Sequence, residues 1–148
     1  MSAPMNPRAR HDARRAALHA IYQYQMTNKS ILDIMSEVLA DPYTKVTDIE
    51  YFQCITQGTV TDIEEINQLI SPVISRPIAD VSPLELAILR IAVFELRQCL
   101  QTPYPVVLNE AIELAKKYAS SESYKFVNAA LDQLIPILRQ HEKKFHDQ

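Results

Sequence analysis

One glycine, Gly58, stands in a chain of 148 residues, and that scarcity constrains the fold more than any other feature. Sheets joined by tight hairpins draw on Gly or Asn-Gly at their turns, whereas capped helices need neither. Nine prolines are available to punctuate the chain instead. The expectation is an all-α fold. At this length a single domain buries a real core, and 47% hydrophobic with 22% charged residues is an ordinary globular mixture. No apolar run approaches the roughly 18 residues of a membrane span. The arginine-bearing start has no apolar stretch behind it, so it does not read as a secretory signal. The expected compartment is the cytoplasm, and Cys54 and Cys99 are expected to be reduced core residues.

Helical punctuation follows the prolines. Pro7 suits a first helical turn, and a helix is expected over 8–26 with Ala13, Ala17, Ala20, Ile21 and Tyr24 as its apolar stripe. Ser30 with Asp33 predicts the cap of a second helix to about residue 40. Thr47-x-x-Glu50 reads as a capping box opening a third helix over 47–70, with Phe52, Ile55, Val60, Ile63, Ile66 and Ile70 inward. Gly58 falls inside it, where a close helix crossing would explain a residue of low helix propensity. Ser71-Pro72 stops that helix, and a short turn is expected at 76–79. Ser82-Pro83-Leu84-Glu85 combines a cap serine, a first-turn proline and a third-position glutamate. The helix it opens, 83–98, is apolar nearly all round and therefore central. Pro105 can start a helix to about 119. A last one from about 121 carries Tyr124, Val127, Leu131, Leu134 and Ile135, with Pro136 ending or kinking it. This predicts about seven helices in two packed small bundles within a single domain, over about 5–71 and 76–139, with a frayed tail at 140–148.

Charge is uneven. Arg8, Arg10, Arg14 and Arg15 stand against Asp12 alone in the first fifteen residues, a net +3, while the whole chain is −3. Arg10 and Arg14 are spaced to share one helix face. Guanidinium pairs bidentately with phosphate and stacks on bases, so an anionic partner, RNA above all, is the reading. A solvated helix face is the plain alternative. Catalysis has no support. One glycine cannot build a phosphate loop, and no serine is framed as a nucleophile elbow. His11, His19, His141 and His146 have no metal-ligand spacing. No enzyme activity, cofactor or metal is expected.

Three blocks carry a family resemblance. They are Arg14-Arg15-Ala16-Ala17-Leu18-His19-Ala20-Ile21-Tyr22-Gln23-Tyr24-Gln25, then Leu89-Arg90-Ile91-Ala92-Val93-Phe94-Glu95-Leu96, then Pro105-Val106-Val107-Leu108-Asn109-Glu110-Ala111-Ile112-Glu113-Leu114-Ala115-Lys116 with Ser123-Tyr124-Lys125-Phe126-Val127-Asn128-Ala129-Ala130-Leu131-Asp132. In this order and spacing, over about 5–139, the chain resembles the NusB family of bacterial transcription antitermination factors. The resemblance implies an all-helical fold of two packed bundles and no catalysis. It implies a heterodimer with NusE, a small-subunit ribosomal protein. The pair binds the boxA element of nascent, chiefly ribosomal, RNA, and joins other Nus factors on RNA polymerase to suppress premature termination. It places the arginine-rich motif on Arg8, Arg10, Arg14 and Arg15, with His11 and Asp12 where some relatives have further arginines. A second RNA-facing region falls on Glu122, Lys125 and Phe126, and the NusE face on Tyr22 and Glu85. Two other readings stand beside it: a helical adaptor or homodimer with weak or no RNA binding, and a module like the N-terminal domain of an RNA cytosine methyltransferase. The polar end at Gln148 favours a standalone protein over the last.

Overall fold

The computed structural model describes residues 6–142, so the first five residues and the last six of the polar tail lie outside it. The described residues form seven α-helices: α1 (Pro7–Met26), α2 (Ile31–Ala40), α3 (Ile49–Thr61), α4 (Ile63–Ile70), α5 (Pro83–Gln98), α6 (Tyr104–Tyr118) and α7 (Ser123–Leu138). Two single 3-10 turns, Ser71–Val73 and Ile78–Asp80, lie between α4 and α5. Among the described residues no helix is long and apolar enough to cross a membrane.

Local chemistry sets most of the boundaries. Asn6 caps α1 by accepting the Ala9 N–H, with Pro7 in the first turn. Ser30 accepts the Asp33 N–H as expected. The cap of α3 is Asp48, whose carboxylate accepts the Tyr51 N–H at 3.0 Å, and not the box expected from Thr47 and Glu50. The single helix expected over 47–70 is two helices, separated at Asp62, whose backbone N–H bonds back to Gly58 and Val60. Ser82 sits at the start of α5 without a side-chain cap bond. Pro136 neither ends α7 nor lies at its boundary, since the helix runs on to Leu138. Gln140, His141 and Glu142 are helical too, so the frayed tail does not begin at 140.

Helix α5 is the axis of the molecule. It packs on α1, α3, α4, α6 and α7, which is why eleven consecutive residues from Leu86 to Leu96 are buried. Phe52, Ile55, Leu18, Ile21, Ile34, Leu89, Leu131 and Leu134 join it in one continuous core. Helix α1 touches α2, α3 and α5 at once. Gly58 is where α3 meets α5. A Cβ there would lie well inside van der Waals contact with the Phe94 ring, so the glycine admits the aromatic ring against bare backbone. Of the two cysteines, Cys99 is half-buried beside this core, but Cys54 is exposed and is not the core residue expected.

The far end of α5 is closed by one side chain. Buried Arg139 donates through Nε to the Leu96 carbonyl at 2.7 Å. Its two terminal nitrogens donate to the carbonyls of Thr102, Glu95 and Cys99 at 2.9, 3.1 and 3.0 Å. The last carbonyls of a helix have no intrahelical donors, and a guanidinium supplies them. Glu142 pairs with Arg139 and accepts the Tyr104 N–H at 2.8 Å, tying the start of the expected tail to α6.

Candidate nucleic-acid interface

The four arginines of α1 are not one surface. Arg14 is 3% exposed and points inward. Its Nε and Nη2 donate to both carboxylate oxygens of Glu95 on α5 at 2.8 and 2.9 Å, a two-pronged pair. The Tyr51 hydroxyl from α3 donates to the same carboxylate. Burial alone would lower the Arg14 pKa, but the bond to Glu95 and its charge outweigh that and hold it above the ordinary arginine value. This inward placement runs against the expectation that Arg14 contacts RNA: its Nε and Nη2 are bonded to Glu95 inside the protein, because a buried carboxylate requires a buried cation.

Arg10, one turn earlier, lies with its guanidinium carbon 4.0 Å from the centre of the Tyr51 ring. Its side chain is 20% exposed. Its polar contacts are long: 3.5 Å to the Thr102 hydroxyl and 3.6 Å to the Asp48 carboxylate, with Nε lacking a hydrogen-bond partner. Arg8 is 86% exposed and Arg15 27%. Asp12 lies between them, at 3.8 Å from Arg8 and 3.4 Å from Arg15. This acid relieves repulsion across two helical turns. His11 bonds Glu110 of α6 at 2.7 Å, and Arg14 lies 3.8 Å from the other oxygen of Glu110. Among the described residues, His11, Glu110 and Glu113 come nearest to a metal-ligand set. The nearby guanidinium already supplies a positive charge to Glu110, and the His11 bond accounts for the geometry without a metal.

At the start of α7, Lys125 is 61% exposed and only loosely paired with exposed Glu122 at 3.3 Å. Phe126 is half-buried against the core, and Arg76 covers its ring at 4.4 Å. The same Arg76 pairs with Glu85 at 3.3 Å, and the other oxygen of Glu85 accepts from Ser123 at 2.9 Å. Glu85 thus joins the linker to α7 and does not close a capping box on α5. The structure brings Glu85 and Phe126 together through Arg76, a residue that no motif singles out. Exposed Tyr22 lines a groove of 310 Å³ with Leu18, His19, Pro83, Leu84 and Tyr118, over the start of α5.

Sequence reasoning also missed Glu95 and Tyr51. A signal for Glu95 existed: an acid within a helix apolar nearly all round has to meet a cation, and neither Arg90 nor Arg97 stands three or four positions from it on the same helix. Lys116 over the Tyr124 ring at 4.8 Å and Lys117 over Tyr118 at 5.5 Å add cationic and aromatic groups between α6 and α7. His19 meets Tyr118 edge-on at 5.4 Å, so this strip adjoins α1.

Comparison with known proteins agrees with this architecture. The model of the NusB family matches residues 11–136. The transcription antitermination protein NusB of Colwellia psychrerythraea is 44% identical over 138 residues, covering 93% of this chain and 100% of that protein. The structure of T. maritima NusB superposes with a TM-score of 0.77 at 28% identity, covering 90% of this chain and 92% of that one. A crystal structure of antitermination factors NusB and NusE in complex with dsRNA gives 0.78 at 29% identity, with 86% and 96% covered. In sequence and in fold, over nearly all of its described length, this chain belongs to the NusB family.

Proposed function

We propose that this chain is a transcription antitermination factor that binds the boxA element of nascent ribosomal transcripts together with NusE, and takes no part in catalysis. The observation that carries the reading is the division of labour on α1. Arg14 fixes the helix to the core, while Arg8, Arg10 and Arg15 keep guanidinium donors that the fold does not consume. Those three are the phosphate-facing groups of the site. Lys125, loosely held by Glu122, and the exposed edge of Phe126 form its second part at the start of α7. The Tyr22 groove receives NusE, with Glu85 and Arg76 at its border with the RNA. A net charge of −3 makes the RNA contact local, and a partner that adds its own basic surface completes it. We place the protein in the cytoplasm as one NusB-like domain, with other Nus factors and RNA polymerase as indirect partners.

The test is RNA binding with and without NusE, using a boxA-bearing RNA and a scrambled control. Tighter and sequence-selective binding is expected with both proteins present. Equal affinity for the two RNAs would sink the boxA reading. Replacing Arg8, Arg10 and Arg15 by alanine is expected to reduce the slope of log affinity against log salt by about three, one per lost phosphate contact. An unchanged slope would put the site elsewhere. Homodimerisation is a separate outcome, read by light scattering across the same concentrations.

A further inference from the structure

Four residues on three helices form a closed circuit. Arg14 of α1 grips Glu95 of α5, and Glu95 accepts the hydroxyl of Tyr51 of α3. Tyr51 then returns to α1 by offering the face of its ring to Arg10. Tyr51 is 7% exposed, and its backbone N–H is bonded to Asp48 at the cap of α3, so its ring is held at both ends. Arg10 has the opposite character. Its guanidinium rests on that ring and borders a cleft of 730 Å³ that also includes Asn6, Thr47, Gln98 and Thr102, and its polar contacts among the described residues are at 3.5 and 3.6 Å. A stacked guanidinium has lost its rotamer freedom in advance but kept its donors.

We infer that Tyr51 is a positioning residue for RNA binding: its ring presents the Arg10 guanidinium as a preformed fork for one phosphate of the bound strand. Burial and the Asp48 bond to its backbone keep the ring in place, and the hydroxyl bond to Glu95 adds stability to the same arrangement. Arg8 and Arg15, which stack on no ring among the described residues, contribute charge without this preorganisation. The inference rests on the RNA-binding reading above and adds to it which arginine is pre-set, and by what.

The experiment measures affinity for the boxA-bearing RNA in the presence of NusE, at several potassium chloride concentrations. The proteins are the parent, Tyr51→Leu, Tyr51→Phe, Arg10→Ala and the Tyr51→Leu/Arg10→Ala double variant, each checked for helical content. Tyr51→Leu removes the stack, and roughly three- to tenfold weaker binding is expected, the range of a partly desolvated cation–π contact. The double variant is expected to bind no more weakly than Arg10→Ala alone, because both changes disable one contact. Tyr51→Phe keeps the ring and loses the hydroxyl, so it lowers stability while leaving RNA affinity within about twofold. Losses from Tyr51→Leu and Arg10→Ala that add in the double variant would overturn the inference. So would equal losses from the leucine and phenylalanine variants, which would mark Tyr51 as merely structural. A parent protein that fails to bind this RNA beside NusE sinks the underlying reading, and the inference with it. A parent that binds while Tyr51→Leu matches it sinks the inference alone.

Discussion

Arg10 and Arg14 are one helical turn apart, chemically identical, and opposite in role. Arg14 spends its donors on a buried carboxylate and is part of the core's architecture. Removing one member of such a pair leaves the other charged in a dry interior, so Arg14→Ala or Glu95→Ala is expected to cost about 3–5 kcal/mol, measured by urea unfolding. A cost under about 1 kcal/mol would mean the pair is more hydrated than its burial indicates. The cysteines make a second contrast. Burial, followed by the charge of Glu95, pushes the Cys99 thiol up to about 12, while Cys54 is exposed. The thiolate is the reactive species, and a raised pKa keeps Cys99 protonated at pH 8. A thiol-specific disulfide reagent is therefore expected to titrate one cysteine quickly in the native protein and both in urea. Two fast thiols in the native state would refute the assignment.

At the level of the helix, propensity and packing pull in different directions at Gly58. Alanine gains up to about 1 kcal/mol of helix propensity over glycine. Here its methyl would collide with the Phe94 ring, and overpacking of this kind costs about 1–3 kcal/mol. Packing wins, so Gly58→Ala is expected to lower the melting temperature, and a gain would show that Phe94 moves aside freely. Arg139 donates to four carbonyls at the end of α5 and in the loop that follows it. Its replacement by methionine strips the Leu96 and Thr102 carbonyls of their donor, while those of Glu95 and Cys99 keep the backbone N–H groups of Cys99 and Thr102, and is expected to cost about 3 kcal/mol by chemical unfolding. Capping shows how far local signals carry. Ser30 behaves as its sequence suggests, because its donor is three residues away. Thr47 yields to Asp48, a neighbour equally able to cap, and the nominal box at Ser82 loses its glutamate to Arg76 and Ser123. A capping box is a local option, and a stronger partner from elsewhere in the fold can take one of its members.

Across the whole molecule, α5 is buried by helices on every side while α1 bridges α3 and α5 and keeps one face to solvent. That placement lets one helix belong to the core and still present the proposed interface. Partner binding through the Tyr22 groove is then expected to be separable from folding. Tyr22→Ala should weaken capture of NusE while changing stability by no more than about 0.5 kcal/mol, as for other exposed positions. Loss of both together would place Tyr22 in the core's support and not at a partner face. The sequence by itself determined the helical class, through one glycine and nine prolines, and most of the apolar stripes and helix starts. It did so because propensity, capping and periodicity act within a turn or two of chain. It also marked α1 as the charged helix, but as four equivalent arginines. Only the tertiary structure decided that Arg14 turns inward to Glu95, that Arg10 rests on Tyr51, and that Arg8 and Arg15 share Asp12. The partners of Arg14 and Arg10 lie 81 and 41 positions along the chain. The fate of a charge depends on which group meets it across the core, and no local rule contains that.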